Sequence, residues 1–189
     1  MITSDKGEKA PTGLAAIAAA ASRPGPAPVE RWNPPYCGDV GLEIRLDGSW
    51  WHQGRPILRP ELVRLFARVL RKDRDGRTYL VTPAEKVDIK VEDAAFVGVE
   101  LRGEGAASAQ NVLVRTNLDE WVTVSEGHPL QFEAEIGGGL KPYVLVRGRL
   151  EARLTRAAYL DLVGMACERD GALGLWSGGT WWKVGGGCL

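Results

Sequence analysis

A tryptophan-bearing hairpin block occurs twice in this chain, and that duplication constrains the fold more than any other feature. The first copy runs from Ile44, Arg45 and Leu46 through Asp47-Gly48 and Trp50-Trp51 to Gly54-Arg55-Pro56-Ile57. The second runs from Val114 and Arg115 through Asn117, Asp119 and Trp121 to Gly127-His128-Pro129-Leu130. Each copy is followed by a segment of helical periodicity that is expected to stop at the same tripeptide, Arg74-Asp75-Gly76 or Arg169-Asp170-Gly171. Self-similarity in fixed order over roughly 70 residues points to a duplicated unit rather than a solenoid, whose periods are shorter. Such a duplication defines architecture, and the seam between its halves is the expected place for a ligand.

Composition narrows the function classes. The chain has 189 residues and 44% hydrophobic content, enough to bury a real core. Its 24 Lys and Arg balance 24 Asp and Glu, so no overall field draws in nucleic acid or an anionic membrane. A small anionic ligand needs only two or three well-placed cations and stays open. Three cysteines (Cys37, Cys167, Cys188) without Cys-x-x-Cys spacing fit a reducing cytoplasm better than a disulfide framework or thiolate metal site. With two histidines, His52 and His128, no histidine-dominated metal site is expected either.

The alanine-rich stretch 13–21 reads as a short docking helix or disordered arm. It is a poor signal peptide, because Asp5 and Glu8 offset Lys6 and Lys9 ahead of a short apolar run. Nothing approaches the ~18 apolar residues of a membrane span. Residues 22–36 hold five prolines, Pro24, Pro26, Pro28, Pro34 and Pro35, which make an extended connector with Trp32 plugged into the body. The expected division is an arm and connector over 1–31, a first half over 32–103 and a second half over 104–189, with the small polar stretch 103–110 as the boundary.

Within the first half, Leu42, Ile44 and Leu46 alternate with polar residues before the Asp47-Gly48 turn. Pro60 suits a first helical position, and Leu62, Phe66, Val69 and Leu70 form an apolar stripe running to the charged loop at 73–77. Strands are expected at 79–82, then along Val87, Ile89, Val91 and along Val97, Val99, Leu101. The second half offers strands at 112–116, 121–124, 131–135, 143–146 and 149–154, then a helix over 155–168 with Gly164 as a weak point. The tail from 171 has seven glycines, three tryptophans and one charge. It reads as a last hairpin turned by Ser177-Gly178-Gly179 and packed on the second half. The class is α+β, a duplicated unit of antiparallel strands plus one helix.

Few residues suggest chemistry. Thr82-Pro83-Ala84-Glu85-Lys86 joins two strands without the Gly or Asn an ordinary turn wants, so Glu85 and Lys86 are aimed either at solvent or at a ligand. Arg115, Thr116 and Asn117 close a strand, and Lys141-Pro142-Tyr143 opens another that leads to Arg147. Guanidinium forks, a lysine and a side-chain amide suit a phosphate or carboxylate, although arginines on strand ends are also ordinary edge residues. Cys37 with a histidine is a conceivable thiol–base pair, but a buried structural cysteine is the commoner outcome. The glycine clusters at 137–139 and 185–187 have neither P-loop nor dinucleotide spacing, and no motif names a cofactor.

The blocks Trp32-Asn33-Pro34-Pro35, Cys37-Gly38-Asp39, Gly54-x-Pro56-Ile57-x-Arg59, Thr82-Pro83-x-Glu85-Lys86, Thr116-Asn117, His128-Pro129-Leu130 and Pro142-Tyr143-x-x-Val146-Arg147 stand in an order that resembles the domain-of-unknown-function 1285 family of bacterial proteins. The resemblance covers about residues 32 to 183. It implies a duplicated α+β core whose second half superficially resembles a pleckstrin-homology-like fold, a nucleotide-like ligand at the interface of the halves, and a signalling role. Gln131 stands where relatives are expected to carry an arginine. The combined expectation is a non-catalytic cytoplasmic module that binds a small anionic, nucleotide-like ligand between its two halves through Arg59, Glu85, Lys86, Arg115, Asn117, Lys141 and Arg147. The alternatives are a protein-interaction domain using the tryptophan-rich tail or a sheet edge, and an enzyme using Cys37 or the Glu85/Lys86 pair.

Overall fold

A computed structural model describes residues 17–18 and 27–184. Most of the N-terminal arm, together with Cys188 and the glycine cluster at 185–187, lies outside the described residues. Ile17 and Ala18 are helical, and Ile17 is fully buried. The chain forms two compact units, Met1–Leu42 with Trp51–Lys90 and Glu43–Trp50 with Val91–Leu189.

A six-stranded sheet, most of it in the first unit, holds β1 (Tyr36–Ile44), β2 (Trp50–His52), β3 (Arg55–Pro56), β4 (Leu70–Lys72), β5 (Thr78–Val81) and β6 (Lys86–Val91), ordered β3-β2-β1-β6-β5-β4. Helix α1 (Pro60–Ala67) carries proline at its first position and buries Val63, Phe66 and Ala67, because that spacing places one stripe on the core. The stripe was expected to run on to the loop at 73–77. Instead the helix ends at Ala67 and Leu70 pairs with Leu80 in a β4–β5 hairpin. A buried Leu70 satisfies both readings, and the Val81 amide donating to the Val69 carbonyl at 2.8 Å decides for the strand.

The Pro-rich connector is tied down by one buried cation. Arg71 donates to the carbonyls of Val29 and Trp32, both at 2.7 Å, and pairs with Asp73 at 2.6 Å. Thr82 closes the β5–β6 turn in place of a glycine, its hydroxyl accepting from the amides of Ala84 and Glu85 at 3.2 and 3.1 Å.

The second unit holds β7 (Phe96–Glu104), β8 (Asn111–Thr116), β9 (Trp121–Thr123), β10 (Leu130–Ala134), β11 (Leu140–Arg147) and β12 (Leu150–Leu154) in the order β10-β11-β12-β7-β8-β9. All neighbours are antiparallel except β12 and β7, which run parallel through Ala152↔Phe96, Arg153↔Val97 and Leu154↔Gly98. Since β7 pairs with β8 and β12, it belongs to this sheet, so residues 91–103 group with the second compact unit, as do Glu43–Trp50. Helix α2 (Arg156–Gly164) is capped by Thr155, whose side chain accepts from the Ala158 amide. It stops four residues earlier than expected, and a three-stranded sheet follows: β13 (Cys167–Arg169), β14 (Ala172–Ser177) and β15 (Thr180–Lys183).

The duplication is visible in backbone detail. Arg45 donates to Ser49 O and Gly48 to Arg45 O in the first block, while Thr116 donates to Glu120 O and Asp119 to Thr116 O in the second. Gly48 and Asp119 hold matching left-handed positions, with φ of 81° and 64°. The two Arg-Asp-Gly tripeptides do not end helices. Each turns a hairpin that follows one, β4–β5 in the first unit and β13–β14 in the second.

The tail forms the expected hairpin, with Gly178 and Gly179 at φ 60° and 76°. Ser177 anchors it: its hydroxyl accepts from the Val112 amide at 2.8 Å and donates to the Val124 carbonyl at 2.6 Å.

Candidate functional site

The seven residues expected from sequence divide between the two units. In the first, Arg59 precedes α1 as its exposed cap residue; its carbonyl accepts from the Leu62 and Val63 amides, and its guanidinium has no hydrogen bond or ion pair among the described residues. Glu85 is buried in the β5–β6 turn, and among the described residues its Oε1 has no hydrogen-bond partner. Lys86 is committed to Asp73 at 3.2 Å and lies 4.3 Å from the centre of the Tyr79 ring. These contacts belong to a network on the first sheet, in which Tyr79 donates to Asp75 at 2.6 Å while Tyr36 and Arg77 converge on Asp88.

The network shifts protonation in predictable directions. The Asp75 hydrogen bond, assisted by burial, raises the Tyr79 phenol to about 12, which keeps it a donor. Burial works to raise the Asp73 carboxyl, but hydrogen bonds and charge from Arg71 and Lys86 outweigh it and hold the group below its ordinary value. A carboxylate depressed on folding adds stability that is complete above its unfolded pKa of about 3.9 and is lost as pH falls through the folded value. The melting-temperature gap between the wild-type protein and Asp73→Asn is therefore expected to be widest near neutrality and to close below about pH 4. A gap that is constant with pH in thermal melts would contradict that role.

In the second unit, Asn117 has a structural task. Its Oδ1 accepts from the Val97 amide at 3.0 Å and its Nδ2 donates to the Gly48 carbonyl at 3.3 Å. Arg115 pairs with Glu100 at 2.7 Å and Asp119 at 3.0 Å. Arg147 pairs with Glu120 and lies 4.9 Å from the centre of the Phe96 ring. Lys141 differs from both: its side chain has no hydrogen bond or ion pair among the described residues, and it lines a cleft of about 510 Å³.

That cleft opens where the β10–β11 turn meets the start of α2. The turn contributes Glu135, Gly138 and Gly139, and the strands add Lys141, Pro142 and Arg153. Thr155, Arg156, Tyr159 and Leu160 complete it from the helix side. Gly137, Gly138 and Gly139 have φ of 97°, 91° and 120°, a run that only glycine adopts without strain. It lets the turn close through the Glu135 amide donating to Gly139 O at 3.0 Å. Arg153 is held by Asp93 at 3.0 Å, which also accepts from Tyr143 OH at 2.7 Å. Burial, followed by this hydrogen bond, raises the Tyr143 phenol well above its ordinary value, so it serves as a donor. Arg156, like Lys141, is unpaired among the described residues, and the helix start adds partial positive charge beside it.

Of the seven residues expected from sequence only Lys141 lines this cleft; Arg153, Arg156 and Tyr159, which also line it, were not singled out. The available signal was a helix-capping threonine followed directly by arginine, close after a glycine triplet that fits no phosphate-loop spacing.

The alternatives fare differently. Cys37 is exposed rather than buried, with its thiol 3.5 Å from the Pro35 carbonyl, and among the described residues no hydrogen bond joins it to a histidine. Trp176 and Trp181 pack edge to face at 5.5 Å with Arg169 beside both rings, while Trp182 Nε1 donates to Ser177 O at 3.0 Å. Among the described residues no group of three or more His, Cys, Asp or Glu is placed to hold a metal, and no helix is long and apolar enough to cross a membrane.

Comparison with known proteins supplies relatives. Residues 27–94 match the family model for the "Domain of unknown function (DUF1285), N-terminal domain", and residues 95–184 match that for the "Protein of unknown function (DUF1285), C-terminal domain". A crystal structure of a DUF1285 family protein from Silicibacter pomeroyi DSS-3 is 41% identical, with a TM-score of 0.85 over 91% of this chain and 94% of that one. Another, from Shewanella baltica OS155, is 25% identical, with a TM-score of 0.54 over 66% of this chain and 91% of that one. Among curated proteins no match is found.

Proposed function

The chain belongs to the DUF1285 family, whose function is unknown, and we propose that it is a non-catalytic module binding a small anionic, nucleotide-like ligand in the cleft of its second unit. One observation carries the reading: Lys141 and Arg156, two cations without an intramolecular partner among the described residues, line the same cleft. Its volume, about 510 Å³, falls within the ordinary range for small-molecule sites. Tyr159, Pro142 and Leu160 offer surface to a ring, while Lys141, Arg156 and the helix start favour a phosphate or carboxylate. The exposed free thiols of Cys37 and Cys167 suit a cytoplasmic setting, where occupancy of the cleft would act as a signal.

Among the other residues expected from sequence, Lys86, Arg115 and Arg147 would have to exchange an existing carboxylate partner for a ligand, which lowers their value as carriers. Arg59 has no such obligation. The interaction-domain reading has less support, because the tail tryptophans are half-buried and engaged within their own hairpin.

The test is a thermal-shift screen of nucleotides and phosphorylated metabolites, followed by titration of those that stabilise the native state. Lys141→Ala and Arg156→Ala should each weaken binding about ten- to a hundredfold, as expected for loss of one charge-assisted hydrogen bond. The ligand-free melting temperature should stay unchanged. Full affinity in both variants would remove the cleft as the site.

A further inference from the structure

Two large apolar side chains stand out at the rim of the same cleft. Ile136, between cleft residues Glu135 and Gly138, is 104% exposed, and Leu160 on α2 is 62% exposed. Neither is required by the fold. The turn is closed by backbone hydrogen bonds and glycine dihedrals, and α2 is anchored by the buried Ala158 and Leu162. Beside them lie the side chains of Lys141 and Arg156, unpaired among the described residues, and the half-buried Tyr159, whose ring centre is 6.2 Å from that of Phe132.

Protruding aliphatic side chains next to unpaired cations and a tyrosine form a chemical pattern suited to the bilayer interface. The cations meet phosphates, the phenol sits at headgroup level, and the aliphatic tips enter the acyl boundary. A purely aqueous anion site gains nothing from an isoleucine held in water at its rim.

We propose that this end of the second unit docks on an anionic lipid surface, with a lipid phosphate held between Lys141 and Arg156 and with Ile136 and Leu160 inserted. The proposal rests on the anion-binding reading of the cleft and names the phosphate's source as a bilayer rather than a free metabolite. Charge complementarity here is local. The chain as a whole is neutral, so it is not drawn to a membrane from a distance, and the Glu135 carboxylate on the same turn opposes the contact. Binding is therefore weak, dependent on anionic lipid and sensitive to salt.

The full chain is sedimented with vesicles of phosphatidylcholine containing phosphatidylglycerol, and with vesicles of phosphatidylcholine alone. Inorganic phosphate and glycerol phosphate are tested in parallel by thermal shift. The chain should pellet with the anionic vesicles only. Ile136→Asp and Leu160→Asp should each lower the bound fraction about tenfold by putting a charge where an apolar tip inserts, without changing the shift produced by soluble phosphate. Lys141→Ala should weaken both signals at least about tenfold, and Glu135→Gln should strengthen vesicle binding.

A phosphate-induced shift without vesicle binding, or vesicle binding indifferent to Ile136→Asp and Leu160→Asp, would overturn the lipid proposal and leave the anion site standing. Silence in both arms would remove the two together. Equal pelleting with neutral vesicles would also overturn it. So would a concentration-dependent dimer that Ile136→Asp dissociates without affecting vesicle binding, which would assign the patch to a second copy of the chain.

Discussion

Replacing Phe66 by alanine is expected to cost about 3–5 kcal/mol, the usual range for truncating a buried aromatic in a packed core. Phe66 is 1% exposed and lies with Val63 and Ala67 on the buried stripe of α1. The helix is eight residues long, too short to persist without its packing. The cavity is therefore not confined to one side chain: the segment that positions β4 loses its main anchor. Denaturant melts read the effect directly. A loss below about 1 kcal/mol would mean that the site collapses around the void, or that Phe66 contributes little to the core.

Truncating the chain after Gly171 is expected to destabilise the second unit by at least about 4 kcal/mol, from two sources. Leu175, fully buried, takes its apolar surface with it. Removing Ser177 also leaves the Val112 amide and the Val124 carbonyl without their partner, on two residues that are themselves fully buried. Ser177→Ala isolates the second contribution and should cost about 1–3 kcal/mol. The comparison separates hydrogen bonding from packing. If the truncated protein melts where the full chain does, the hairpin is an appendage with no share in the core.

Most strands were legible because alternation is a local property. Val87 and Ile89 face the core as their spacing requires, and Asp47-Gly48 announces its turn. Helix ends were less legible. Leu70 extends the α1 stripe in register, and only the tertiary pairing with Leu80 makes it a strand. The same ambiguity carried the expected second helix past Gly164 into β13. Asp88 alternates as a solvent-facing residue yet is buried, because Tyr36 and Arg77 reach over it from distant positions.

The candidate site was harder still. Strand-end arginines drew attention by chemistry, yet whether a cation is free depends on which carboxylates the fold brings beside it. Glu100 and Asp119 occupy Arg115, and Glu120 occupies Arg147. The capping Thr155 points to Arg156 as a helix-start cation, but only the fold shows that no carboxylate among the described residues pairs with it or with Lys141.

The parallel pairing of β12 with β7 gives the second unit a timetable. During synthesis β7, β8 and β9 are joined by short connections and form adjacent pairs quickly. The other edge of β7 has no partner until β12 has been made, after both β10 and β11. Long-range strand pairing of this kind is slow, and an open edge invites pairing with another chain while it waits. Refolding at high protein concentration should therefore lose material to aggregation at this step, and a chaperone that shields the β7 edge should recover it.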